Sequence, residues 1–180
     1  MNNYFWESEH IRFRRFKESD WEKLYETQND SHEVRCFEGG LEPLKTEATY
    51  KQYILDNLES AYKYAIEDID SNYVGTASIS GINPSAGTFY ITVQVFKEYR
   101  KRGYAKEAIK MMLNYAFNEL RLNKANSETI DINYGSIKLH ESVGFTIEGT
   151  RRQNVFTEGK YHDEILFGMT RDEYRKLYLL

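Results

Sequence analysis

Proline and cysteine are both scarce in this chain. Two prolines in 180 residues, with no Ser/Gly-rich stretch and no block of one charge sign, leave no linker at which a second domain would begin. Cys36 is the single cysteine, so no intrachain disulfide is available and a reducing compartment fits. No run of some 18 apolar residues is present to span a bilayer. The opening Met1-Asn-Asn-Tyr-Phe-Trp-Glu-Ser-Glu-His10 lacks the basic start and apolar stretch of a secretory signal, so a cytoplasmic location without membrane attachment is expected. His10, His32, His140 and His162 lie far apart without H-x-x-x-H or Cys/His spacing, and no metal is expected. The net charge of −4, without a basic face interleaved with aromatics, argues against a nucleic-acid partner and for cationic ones. Neither a G-x-G-x-x-G fingerprint nor a G-K-[ST] phosphate loop occurs.

What is present is enough apolar and aromatic material, 41% and 15%, to bury one good core, and a single domain over residues 1–180 is expected. Ile11-Arg-Phe-Arg-Arg-Phe16 alternates as a strand does. Ser19-x-x-Glu22 reads as a capping box opening a helix with Trp21, Leu24 and Tyr25 on its apolar stripe. A polar stretch through Glu38-Gly39-Gly40 reads as a loop, and Thr46 as the cap of a second helix carrying Tyr50, Tyr53, Ile54 and Leu58. Short turns then join runs at 61–69, 73–82 and 88–96 into an antiparallel meander. Ala105, Ala108, Ile109, Met112, Leu113, Ala116 and Leu120 line one face of a long helix. A strand near 124–130, a short helix from Asn133 to Gly144, a hairpin at 146–156 and 160–169, and a helix capped by Thr170-x-x-Glu173 complete the chain.

Between the third meander strand and the long helix stands Arg100-Lys101-Arg102-Gly103-Tyr104-Ala105. Backbone N–H groups at a helix N-terminus lack partners within the helix and carry partial positive charge, which suits phosphate oxygens. Gly103 lets such a turn approach a phosphate, and small Ala105 keeps the first helical turn clear. An ordinary tight turn is the competing reading.

That turn, followed about one helix and one strand later by Asn133-x-x-Ser136-Ile-x-Leu-x-Glu141-x-x-Gly144-Phe145, resembles the GCN5-related N-acetyltransferases over essentially the whole chain. Glu148-Gly149-Thr-Arg151 and Gly159-Lys-Tyr-His-Asp163 are similar to the ending of the branch that acetylates ribosomal-protein N-termini, spermidine, phosphinothricin-like compounds and amino sugars. The resemblance implies an α/β fold with a central, mixed, mainly antiparallel twisted sheet flanked by helices and splayed at the cofactor. It implies acetyl-CoA as co-substrate, with Arg100, Gly103, Tyr104 and Ala105 at its pyrophosphate, Lys101 and Arg102 adding charge, and the backbone of about Val93 to Val95 pairing with the pantetheine arm. Asn133 falls where the family contacts the cofactor near its thiol, although Asn is equally a good N-cap.

The chemistry so implied is transfer of acetyl to a primary amine by direct attack in a ternary complex. The acceptor is a small amine such as a polyamine, amino sugar or amino-acid derivative. Alternatives are a protein N-terminus, or a non-catalytic acyl-CoA-binding regulatory domain, and a homodimer is compatible with each. Where many relatives place a tyrosine that protonates the departing thiolate, this chain has His140, a candidate general acid or a packing residue. The strand before the turn offers Tyr90, Thr92 and Gln94 rather than a carboxylate base. Glu33, Glu38 and Glu42, in the segment that covers the acceptor in the family, are candidates for attracting a cationic amine, and His162-Asp163 falls near the acceptor side.

Overall fold

A computed structural model describes residues 4–178, so the first three residues of the N-terminal stretch and the last two of the expected 1–180 domain lie outside it. Seven strands form one sheet: β1 Ile11–Arg14, β2 Lys63–Asp68, β3 Tyr73–Asn83, β4 Thr88–Val95, β5 Lys124–Ile130, β6 Thr146–Thr157 and β7 Lys160–Thr170. Their order is β1-β2-β3-β4-β5-β7-β6. Every neighbouring pair is antiparallel except β4 and β5, which are parallel, as a crossover helix between them requires. The mixed, mainly antiparallel α/β architecture expected from the sequence is the one observed.

Among the described residues six α-helices flank the sheet: α1 Trp21–Thr27, α2 Ser31–Glu38, α3 Glu47–Asn57, α4 Tyr104–Asn114, α5 Tyr134–Val143 and α6 Arg171–Tyr178. Two local readings of the sequence are corrected. Ser19 does not cap α1; Glu18–Asp20 form a 3-10 turn instead, and the carboxylate of Asp20 accepts from the Lys17 N–H at 2.8 Å and from Arg14. The stretch up to Glu38, read as a loop, is helix α2. The Asp30 side chain caps it by accepting from the N–H groups of His32 and Glu33, and Gly39 ends it in the left-handed region at φ 73°. Its eight residues are mostly polar and none is buried, so the caps were the better signal. The expected long helix also changes character, because a π-helical turn over Tyr115–Glu119 follows α4.

The main core lies between the sheet and α4, where Ile109, Met112, Leu113 and Phe117 meet Phe89, Ile91, Phe167 and Met169. Each is buried, and burial of a side chain this size contributes roughly 1.5–3 kcal/mol. A smaller core of Phe16, Leu24, Ile54, Ala65 and Phe96 sits under α1 and α3 on the opposite face. At the β1 edge the buried carboxylate of Glu67 takes bonds from Arg12 and Arg14. Burial pushes its pKa up, but the two guanidinium groups outweigh that and hold it below the ordinary value.

The pairing of β4 with β5 positions the site. It covers only Thr88 to Tyr90 against Lys124 to Asn126, then stops. Beyond that point β4 stays with β3 as far as Val95, and β5 stays with β7 as far as Ile130. The sheet therefore opens as a wedge along one edge of each strand.

Candidate functional site

The wedge forms a cleft of about 1110 Å³ that runs from the split strands to the N-terminus of α4. Pairing leaves the β5-facing edge of β4 from Ile91 onward without a strand partner, and such backbone groups call for hydrogen bonds from elsewhere. At the other end Gly103, at φ 87°, is the N-cap of α4, and the first bond into the helix runs from the Glu107 N–H to the Gly103 carbonyl at 3.1 Å. The N–H groups of Tyr104, Ala105 and Lys106 have no carbonyl one turn back to accept them. Lys101 is also left-handed, at φ 63°, so two such residues fold the chain sharply into the helix. A Cβ on Gly103 would have the Glu107 Oε1, 3.8 Å away, as its nearest neighbour, so the space over this turn is open. Open space and unpaired N–H groups at a helix N-terminus are features that could hold a phosphate.

The sequence-derived cofactor residues divide here. Val93, Val95, Arg100, Lys101, Gly103, Tyr104, Ala105 and Asn133 all line the cleft, whereas Arg102 does not. Its guanidinium lies over the Tyr99 ring, 5.5 Å from the centroid. Arg100 has a different engagement from the one its sequence position suggests. Its Nε donates to the Val95 carbonyl at 2.9 Å, and its two terminal nitrogens fork onto the carboxylate of Glu33 on α2. Lys97 likewise reaches Asp30 at 2.6 Å, so two ion pairs tie α2 to the segment around the turn.

Asn133 serves as an N-cap: its Oδ1 accepts from the Ser136 N–H at 3.1 Å, and its Nδ2 donates to the Cys36 carbonyl at 3.2 Å. Ser136 is structural, with its carbonyl accepting from the Nδ1 of His140 at 2.8 Å. Because a backbone carbonyl only accepts, Nδ1 carries the proton and Nε2 is the acceptor. Nε2 lies 2.8 Å from the hydroxyl of Ser127 on β5. The ring is 5% exposed and stacks on Phe167 at 4.6 Å. Burial lowers its pKa despite the bond to Ser136, so His140 is held neutral rather than as the imidazolium that proton donation needs. Ser127 and its neighbour Glu128 also line the cleft, and both were missed in the sequence. Their signal was the alternation of β5, which becomes informative only once β5 is known to border a gap.

Glu33, Glu38 and Glu42 meet in a second, smaller cavity of about 170 Å³ among α1, α2 and α3, which shares Glu33, Phe37 and Gln94 with the cleft. Glu33 is taken by Arg100, and Glu38 has Lys45 at 3.7 Å. Asp163 stabilises the β6–β7 hairpin, its carboxylate accepting from the Gln153 N–H at 2.8 Å, and His162 pairs with Asp131 at 2.8 Å. Burial raises the pKa of Cys36, whose sulfur lies 3.6 Å from His32 Nε2. Among the described residues no group of three His, Cys, Asp or Glu side chains is arranged to hold a metal ion, and no helix is long and apolar enough to cross a membrane.

Comparison with known proteins places this geometry. The family model for the acetyltransferase (GNAT) domain matches residues 10–146. The SPbeta prophage-derived uncharacterized N-acetyltransferase YokL of Bacillus subtilis is 38% identical over 125 residues, 69% of this chain and 71% of that protein. The spermidine N(1)-acetyltransferase of Vibrio cholerae is 28% identical over 117 residues, 65% of this chain and 66% of its own length. The structure of spermidine N-acetyltransferase from Vibrio cholerae in complex with CoA and spermine superposes with a TM-score of 0.80 at 20% identity, covering 91% of this chain and 97% of that one. A GNAT-family acetyltransferase from Bacillus anthracis gives 0.80 at 23% identity, over 92% and 98%. The two superpositions establish a shared fold.

Proposed function

The chain belongs to the GNAT family of acetyltransferases, and from that membership we propose that it transfers acetyl from acetyl-CoA to the primary amine of a small, cationic acceptor. The observation that carries the reading is the wedge between β4 and β5 ending on the N-terminus of α4. A single domain over residues 1–180 is part of this reading. The N–H groups of Tyr104, Ala105 and Lys106 bind the pyrophosphate, with Lys101 beside them. The open edge of β4 about Val93 to Val95 orients the pantetheine amides as a further strand would, and an N–H there polarises the thioester carbonyl. Asn133 fixes the start of α5 and holds α2 at the cleft through Cys36. Ser127 and His140 form a polar contact beneath that wall.

A small amine is favoured over a protein N-terminus by the size of the cavity beside the cleft, about 170 Å³, where Glu42 stands with Glu33 and Glu38, themselves paired with Arg100 and Lys45. The relatives named for spermidine point the same way. The test has two parts. Acetyl-CoA should raise the melting temperature by mass action, while NAD and ATP at equal concentration do much less. Thiol release should then appear with alkyl di- and polyamines or amino sugars, and only weakly with peptide N-termini. Folded protein that shows no shift with acetyl-CoA would refute the cofactor assignment, and a shift without turnover on any amine would leave a binding domain.

A further inference from the structure

Residues 6–10 double back along β1 as a short strap. The Ser8 N–H donates to the Ile11 carbonyl at 2.8 Å, the Phe13 N–H donates to the Trp6 carbonyl at 2.7 Å, and Glu7 bridges Arg12. A single carboxylate on α4 gathers the end of this strap. Glu107 Oε2 accepts from the Ser8 hydroxyl at 2.6 Å and from the His10 N–H at 3.1 Å, while Oε1 accepts from His10 Nδ1 at 2.8 Å. The acid stands between serine and imidazole, so no base reaches the hydroxyl and the three groups do not make a nucleophile. Their position is what matters. Glu107 belongs to the first turn of α4, and its Oε1 is the atom nearest to a Cβ built on Gly103, at 3.8 Å. A carboxylate there suits the helix dipole but opposes any other anion at the same N–H groups.

A carboxylate oxygen only accepts, so His10 Nδ1 keeps its proton in both ionisation states, and the second proton comes and goes at Nε2. The side chain is 45% exposed, which leaves Nε2 open to exchange, with Glu9 3.9 Å away. The three bonds therefore survive deprotonation of the ring, and only the charge changes. With imidazolium the His10 and Glu107 side chains are neutral together; with imidazole they carry one negative charge. The bond to Glu107 outweighs desolvation and holds the pKa of His10 above its ordinary value, the charges of Glu107 and Glu9 adding to it. Around the pair, Arg12 of β1 is on Glu67, Arg102 lies over Tyr99 and Lys110 over Tyr178, while Lys101 and Lys106 line the cleft. Lysine, arginine and carboxylate side chains, those of Glu7 and Glu9 in the strap among them, ordinarily keep their charge between about pH 6 and 9, which leaves His10 as the variable group. We propose that His10 and Glu107 set the affinity of the Gly103 turn for acetyl-CoA, the protonated ring cancelling a carboxylate that otherwise repels the pyrophosphate. The proposal rests on the acetyl-CoA reading.

Titration calorimetry compares acetyl-CoA binding by the parent, His10→Arg and His10→Gln at about pH 6 and about pH 9. The phosphates of the ligand titrate alike against all three proteins, so the ratios between proteins carry the result. His10→Arg, charged throughout, should match the parent at about pH 6 and bind about threefold tighter at about pH 9, the scale of one partly exposed charge near a phosphate. His10→Gln should match the parent at about pH 9 and bind about threefold weaker at about pH 6. Both gaps should shrink in high salt, which a packing role for the ring would not produce. Reciprocally, bound acetyl-CoA should make His10 titrate at higher pH in the NMR spectrum of the parent, because a proton that favours the anion is favoured by it. That measurement decides should a variant fail to fold. A His10 titration that acetyl-CoA leaves in place, or binding with the same pH course in the parent and His10→Arg, would overturn this inference alone. A folded parent that binds no acetyl-CoA at either pH overturns the cofactor reading and this inference with it.

Discussion

Arg100 and Glu33, 67 residues apart in the chain, close on one another as a guanidinium fork on a carboxylate at the wall of the cleft. The pair joins the phosphate turn to α2, which also borders the acidic cavity. It commits the one arginine that the turn presents to the cleft, and it masks the one carboxylate common to both cavities. The cleft and the smaller cavity are therefore linked through this contact, with the Lys97–Asp30 pair beside it.

On the proposed cofactor assignment the pyrophosphate would compete with Glu33 for the Arg100 guanidinium, so Glu33→Gln should tighten acetyl-CoA binding and Arg100→Ala should weaken it. Partly exposed ion pairs contribute about 0.2–1 kcal/mol, which limits the gain from Glu33→Gln to roughly fivefold. Titration calorimetry with acetyl-CoA at low and moderate salt reads both directions, and the difference should shrink as salt rises. Weaker binding by Glu33→Gln would show that Glu33 positions Arg100 for the phosphate instead of competing with it.

The turn at Gly103 supports a separate test. Its φ of 87° is a conformation that β-branched residues reach only with strain, about 1–2 kcal/mol, while the space around it is open. Gly103→Val should therefore fold with a melting temperature lowered by a few degrees and lose most of the thermal shift with acetyl-CoA. Gly103→Ala carries the strain with far less bulk and should keep part of the shift. A folded Gly103→Val that binds acetyl-CoA like the parent would remove the phosphate cradle from this turn.

Much of this could be read before any coordinates, and the reason lies in which signals are local. Gly103, Gly144 and the Thr46 and Asn133 caps announce element boundaries through the backbone conformations they permit, and each stands at the boundary expected. The α2 helix was lost because its caps, Asp30 and Gly39, enclose only eight residues, most of them polar and none of them buried. Arg100 looked like a free phosphate ligand because its partner is remote in sequence. Glu128 was invisible for a related reason: a carboxylate on a strand faces solvent in most proteins, and only the parting of β4 from β5 turns that face into a cleft.

His140 gives the sharpest contrast between sequence position and environment. By position it is the candidate proton donor, but its Nδ1–H is locked on the Ser136 carbonyl, its Nε2 accepts from Ser127, and burial lowers its pKa below the ordinary histidine value of about 6.5. Below about pH 6.5 the unfolded chain binds the proton that the folded ring refuses. The stability associated with the neutral ring is thus fully present above that pH and is lost as pH falls through the lower folded value. The parent's melting temperature should decline more steeply between about pH 6.5 and 5 than that of His140→Gln. Ser127→Ala should cost about 1–3 kcal/mol by leaving Nε2 buried without a partner. For catalysis, an imidazolium acid would make kcat fall as pH rises through neutrality, whereas a neutral ring predicts no such limb. His140→Gln should accordingly leave the shape of the kcat profile unchanged and lower its height by less than about tenfold, an effect of wall geometry alone. A descending limb near neutral pH that vanishes in His140→Gln would return the role of proton donor to this histidine.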